Sequence, residues 1–254
     1  MLAKQIGIKQ VIYIDLNPLS VQTIKVLKEK TGLGPDIILE GNSDTLLSWC
    51  RDNKVEPNLL IATDLIEHVY DLSSFFADLV HISDDLQMIF TTASTPFNPY
   101  VKRRLHKMMK GCESGNLESP NYYTLRLLYI QENFPSLTTE DTIKWSHKTR
   151  GLIYSDISNA IESNTPPILS DKYNTCDPAT GNWTERILPI KEYDSLLFPY
   201  GYFLTVDKGF YNTDRKNHIF SLISSCINSF IAVSGKAGLF FAPIITLSFK
   251  KKNS

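Results

Sequence analysis

The chain has 254 residues, enough for one substantial core, and carries 26 basic against 27 acidic residues for a net charge of -1. That balance supplies no bulk field for an anionic membrane and argues against nucleic acid as a partner. Four widely spaced cysteines (Cys50, Cys112, Cys176, Cys226) without a CxxC pattern, no apolar stretch of membrane-spanning length and no signal-peptide layout together lead to the expectation of a cytoplasmic protein.

Met1 to Lys9 reads as the tail of a helix closed at Gly7. Val11 to Ile14 is an apolar strand running into Asp15, and Asn17-Pro18 can cap and start a helix that Gly32 ends. A second strand, Ile37 to Leu39, leads into Glu40-Gly41-Asn42, with Ser43 or Asp44 as the cap of the next helix. Asn58 to Thr92 then repeats the pattern. The apolar run Leu59 to Ala62 stops at Thr63-Asp64, a helical stretch follows through Phe75, Phe76, Leu79 and Val80, and Leu86 to Phe90 is a further strand. Strand and helix alternating in this way predict a parallel, doubly wound α/β sheet, whose ligands bind at the carboxyl ends of its strands.

From Pro96 the texture changes to amphipathic helices, with Lys102, Arg103, Arg104, Lys107 and Lys110 on a solvated face. Asn164 to Pro199 is rich in proline and turn residues and reads as an irregular loop, long enough to suggest function. Tyr200 to Val206 is a strand, Asn217 to Val233 an apolar helix and Phe240 to Phe249 a closing strand, followed by a solvated Lys250-Lys251-Lys252 tail.

The residues able to do chemistry gather at the strand ends. Asp15 could accept hydrogen bonds from the two ribose hydroxyls of a nucleoside, or merely serve the helix that follows. Asp64, Glu67 and His68 put proton or metal chemistry within one turn of chain, although Asp64 could equally cap a helix and His68 be an ordinary core-edge histidine. A cation on Glu67 and His68 needs a further ligand, and neither His81, His106 nor His147 stands at diagnostic spacing, so no metal site is expected. Thr91 to Asn98 could line a cleft or form a turn. Asn174 to Pro189, with Trp183, Glu185 and Arg186, could carry function or plug the sheet. Cys176 lacks a Cys-His partnership and is not taken as a nucleophile.

IYIDLNP (Ile12 to Pro18), ATDLIEHVYD (Ala62 to Asp71) and IFTTAS (Ile89 to Ser94) together resemble class I S-adenosylmethionine-dependent methyltransferases, most closely the group acting on small molecules, lipids and sugars. The resemblance is continuous over Val11 to Asn98 and resumes in outline at the last strand, helix and strand. It implies a Rossmann-like α/β sheet, mostly parallel with an antiparallel last strand, in one domain over 1–254, with residues 96–199 inserted as a helical and loop substrate lid before the last two strands. Asp15 and Leu16 would match the ribose-binding position, Gly41, Asn42 and Asp44 the loop beside adenine, and Asp64 the strand-end residue near the cofactor. Glu67 and His68 would match a helix start facing the substrate, with His68 as general base and Glu67 as its orienter or as a substrate acceptor. The implied cofactor is S-adenosylmethionine and the implied acceptor a small molecule, lipid or sugar.

One departure is large. The family's first strand and its glycine-rich turn, which cradles the methionine end of the cofactor, have no counterpart, and no G-x-G-x-x-G occurs in the chain. The sheet is therefore expected to be N-terminally incomplete, as in a truncated enzyme with impaired activity, and its open edge invites homo-oligomer formation. Two other readings stand beside it: a non-catalytic interaction protein on a methyltransferase-like fold, and an RNA-end methyltransferase, some of which place a Glu-His pair on a metal.

Overall fold

A computed structural model describes residues 2–115, 121–214 and 216–251. In chain order the first elements are α1 (Leu2–Gln5), β1 (Ile12–Asp15), α2 (Pro18–Thr31), β2 (Ile37–Glu40), α3 (Ser43–Asn53) and β3 (Leu59–Thr63). Then come α4 (Leu72–Val80), β4 (Gln87–Thr92), α5 (Pro99–Ser114), α6 (Tyr122–Asn133), α7 (Thr139–Lys148), α8 (Tyr154–Glu162) and α9 (Ile190–Leu197). β5 (Tyr202–Lys208), α10 (His218–Val233) and β6 (Ile245–Lys251) are the last. Met1 and Lys252, which belong to two segments read above, lie outside the described residues. The chain divides into two compact units, one of residues 1–58 and 73–86, the other of 59–72 and 87–254.

In the first unit β1 and β2 pair in parallel, with Ile12 opposite Ile37 and Asp15 opposite Glu40. Asn17 caps α2 by accepting from the Leu19 N–H, Pro18 occupies the first turn where its missing donor costs nothing, and Gly32 at φ 69° ends the helix. α3 is capped by Asn42 rather than by Ser43 or Asp44. The Asn42 side chain accepts from the Thr45 N–H while the Thr45 hydroxyl reaches back to the Asn42 N–H, so both orphan donors are met at once. The β1 residues are half-buried, because a two-stranded sheet cannot shield its strands as a wider one does. Lys4 pairs with Asp36 at 3.0 Å, and Asp36 also accepts from the Val11 N–H.

The second unit holds a four-stranded mixed sheet in the order β3-β4-β6-β5. β3 and β4 are parallel, while β6 runs antiparallel to β4 on one side and β5 on the other. The last strand is thus inserted against the direction of the rest. It begins at Ile245 and takes in Lys250 and Lys251, which are strand residues rather than a tail. β4 and β6 alternate buried and half-buried positions, and Met88, Phe90, Ile245, Leu247 and Phe249 are all fully buried in the core. β3 pairs on one side only among the described residues, and Leu59 and Ile61 on it remain exposed.

Helices fill the span between β4 and β5. Val101, Leu105 and Met109 form a buried stripe on α5 at a four-residue spacing and pack with Ile187. Ile130, Trp145 and Ile157 do the same for α6, α7 and α8. The span from Asn164 to Pro199, read as irregular, contains α9, with Tyr193 and Leu197 buried on it. Its preceding loop is anchored rather than loose. Asn174 donates to the Ile187 carbonyl and accepts from the Ile187 N–H, and Cys176 bridges to Trp183.

Candidate functional site

β3 ends at Thr63, and Asp64 adopts a left-handed φ of 47° while its N–H still pairs with the Thr91 carbonyl at 2.9 Å. This bend sends the chain into a tight turn, with the His68 N–H bonded to the Leu65 carbonyl and Ile66 fully buried. Glu67 and His68 therefore sit in a turn and not at a helix start, since α4 begins only at Leu72. Asp64 caps no helix.

The turn places Glu67 in the interior, 1% exposed, beside the end of β4. The Thr92 hydroxyl donates to Glu67 Oε1 at 2.6 Å and accepts from the Ser94 N–H at 3.0 Å, so one hydroxyl joins strand end, turn and loop. The Ser94 hydroxyl in turn donates to Glu185 Oε2 at 2.5 Å. Glu185 arrives on the segment Trp183 to Arg186, which lies along the turn through two backbone hydrogen bonds, Trp183 N–H to the His68 carbonyl and Arg186 N–H to the Glu67 carbonyl. His68 Nδ1 lies 2.7 Å from the Trp183 carbonyl. A carbonyl only accepts, so Nδ1 carries the hydrogen in this contact, and in the neutral imidazole the lone pair is then on Nε2. The Trp183 carbonyl thus fixes the orientation of the His68 ring.

Burial pushes the Glu67 carboxyl above its ordinary value, and the nearby Glu185 charge adds to this, while the Thr92 hydrogen bond and His68 oppose it. Its second oxygen, Oε2, is buried and has no hydrogen-bond partner. Glu67, His68 and Glu185 each offer a ligand atom, and these atoms lie within 4.8 Å of one another. They could hold a divalent cation. Glu185 is the third group that spacing along the sequence does not supply.

Aromatic and charged side chains surround the turn. Tyr70 stacks on Trp183 with ring centroids 6.1 Å apart, and its hydroxyl donates to Asp156 at 2.5 Å. The Arg186 guanidinium lies over the other ring partner, Trp183, at 4.8 Å and donates to the Tyr70 carbonyl. Burial holds this guanidinium below its ordinary value, and its Nε and Nη2 are without hydrogen-bond partners. Burial also pushes the Cys176 thiol up to about 12, which leaves it unreactive.

The nucleoside-binding candidates lie in the first unit. Asp15 and Gly41 are joined by the Gly41 N–H to Asp15 carbonyl bond at 3.0 Å, beyond the last β1-β2 pair. The Asp15 carboxylate accepts from the Tyr13 hydroxyl at 2.8 Å and from the Asn17 N–H at 2.8 Å. Burial and that contact with Asp15 push the Tyr13 phenol up to about 12. Leu16 and Asp44 are exposed, and Asn42 is committed to its helix cap. Asp64 is exposed and is not part of the Glu67, His68 and Glu185 group.

No protein-family model matches the chain, and no curated protein matches it. Residues and fold together establish an α/β architecture with a small parallel sheet, a larger mixed sheet and helical insertions, suited to a catalytic or binding role. No helix among the described residues is long and apolar enough to cross a membrane.

Proposed function

We propose that the chain is a class I S-adenosylmethionine-dependent methyltransferase domain acting on a small molecule, lipid or sugar. The observation that carries the reading is the order β3-β4-β6-β5 with the last strand reversed between its neighbours, joined to polar residues at the carboxyl ends of the parallel strands. The ribose position fits. Asp15 accepts two hydrogen bonds, and a carboxylate has about four acceptor positions, so capacity for two hydroxyls remains. The methionine position has no such support, because no glycine-rich turn follows a strand among the described residues.

When bound, S-adenosylmethionine supplies an electrophilic methyl group on a sulfonium centre. In this reading Asp15 and Leu16 hold the ribose side, while Gly41, Asn42 and Asp44 border the base and Asp64 stands at its own strand end. His68 Nε2, free to accept, takes the proton of the acceptor nucleophile, and the buried Glu67 accepts a hydrogen bond from the acceptor. Residues 96–199 act as the substrate lid. The test is calorimetric titration of S-adenosylhomocysteine into the 254-residue chain and into a form extended upstream along its reading frame. Binding that Asp15→Ala abolishes is the expected result. No heat from either form refutes the reading and leaves a methyltransferase-like fold used for contacts.

A second reading is favoured by the unpartnered Glu67 Oε2. A divalent cation on Glu67, His68 and Glu185 would satisfy it, and two carboxylates with one imidazole suit Mn2+ or Zn2+. The His68 Nδ1 hydrogen bond to a carbonyl is the kind of outer contact that orients a ligating imidazole. Mn2+ at a hundred times its Kd should stabilise the chain by about 2.7 kcal/mol. Thermal melts with and without Mn2+ read this directly. An equal shift in Glu185→Gln refutes a site at this position.

A further inference from the structure

We infer that α10 docks flat on an anionic lipid surface, an inference independent of the methyl-transfer reading. Ile219, Leu222, Ile223, Cys226, Phe230 and Val233 recur at helical spacing and share one face, and all are exposed, Val233 at 83%. The opposite face is seated on its own unit through Ser224 and Ile231. The helix contains no Asp, Glu, Lys or Arg. A surface helix of a globular domain normally turns its apolar stripe inward, and here the stripe faces out.

The apolar ground continues past the helix. Phe230 meets Phe241 edge-on at 5.0 Å, and Phe220, Phe240 and Phe241 are exposed as well. An open pocket of about 510 Å³ adjoins the stripe, lined by Phe220 and Ile223 with Tyr100, Phe210 and Arg104. Cations frame this ground. Lys216 stands exposed before the helix and Lys236 after it, and Arg104 of α5 lines the pocket, while one acid, Asp214, shares the loop with Lys216 and none lines the pocket. Apolar and aromatic side chains rimmed by Lys and Arg complement a leaflet with anionic headgroups.

Two observations set this occupant above a second copy of the chain. The stripe is bordered by Ser225 and Ser229 on one side and Phe220 on the other, so it lacks the paired opposite charges that fix a helix-helix register. The patch is also wider than a single seam. Its length fits lying flat: the helix spans ~24 Å, short of the ~30 Å needed to cross a bilayer.

The experiment is sedimentation of the full chain with vesicles of equal parts phosphatidylcholine and phosphatidylglycerol, and with phosphatidylcholine alone, alongside light scattering without lipid. Binding to the anionic vesicles that weakens with salt is expected. Ile219→Ser/Leu222→Ser/Val233→Ser should abolish it with an unchanged circular dichroism spectrum, since these side chains are exposed in the free fold. Lys216→Gln/Lys236→Gln should weaken it about thirty-fold, from roughly five-fold per surface cation. Failure to sediment with anionic vesicles at low salt overturns the inference, as does equal partition onto both vesicle types. A dimer in light scattering that the triple variant converts to monomer also overturns it, by assigning the stripe to self-association.

Discussion

Replacing Glu113 by Gln strips the charge that holds two arginines together inside the second unit. Arg126 is fully buried, its Nη1 and Nη2 donate to the two Glu113 oxygens, and its Nε donates to the Ser146 carbonyl at 3.0 Å. Thr175 donates to Glu113 Oε2 at 2.7 Å, and Arg150 lies 3.8 Å from the same oxygen. Glu113→Gln keeps the shape but leaves the Arg126 charge buried without its carboxylate, which costs about 3–5 kcal/mol. At roughly 2–4 °C per kcal/mol for a chain of this size, the Tm should fall by about 6–20 °C. Urea titration and thermal melts followed by circular dichroism measure both. Glu113→Leu/Arg126→Met removes both charges and should recover most of the loss. The pH dependence provides a further check. Burial alone would raise the Glu113 carboxyl, but the hydrogen bonds and charge of Arg126, with Thr175 and Arg150, bring it below the ordinary 4.5. Its contribution is therefore complete above pH 4.5 and lost as pH falls through the lower folded value. A loss under about 1 kcal/mol in Glu113→Gln, the size of an exposed pair, would refute the reasoning.

Glu67 has the opposite sign. Burial raises it above 4.5, so its contribution is complete below that value and lost as pH rises through the folded one. Glu67→Gln lacks that loss, and its stability relative to the parent should grow as melts are taken upward from pH 4.5; a pH-independent difference would count against the buried carboxylate. Thr92→Val leaves Glu67 Oε1 and the Ser94 N–H without the hydroxyl that joins them and should cost about 1–3 kcal/mol in urea titrations, with Thr92→Ser restoring it. At Gly181, φ is 77° and an added Cβ would meet the Tyr70 ring carbon at 3.0 Å. Gly181→Ala should therefore cost at least about 1–2 kcal/mol and alter the near-ultraviolet signal of the Tyr70 and Trp183 stack.

The local code was legible. Asn17-Pro18 and Gly32 bound a helix because a side-chain acceptor, a missing donor and a left-handed glycine act within one turn of chain. Apolar runs ending at Asp15, Glu40 and Asp64 marked the strand ends, and the last strand is antiparallel as the resemblance implied. Caps were less legible where neighbours compete. Asn42, Ser43 and Asp44 are all good cap residues, and Thr45 decided for Asn42 by closing the reciprocal pair.

Sequence by itself determined which residues with proton chemistry stand at which strand end, because strand and helix periodicities are local properties of the chain. Tertiary structure alone decided what those residues meet. Glu185 joins Glu67 and His68 across a long interval of sequence, and no spacing rule encodes that distance. The pairing depends on Trp183 and Arg186 finding the His68 and Glu67 carbonyls, and on Asn174 holding Ile187 behind them. The outward face of α10 is of the same kind. Its stripe is plain in the sequence, but whether a stripe faces core or surroundings is settled only by what packs on the other side, here through Ser224 and Ile231.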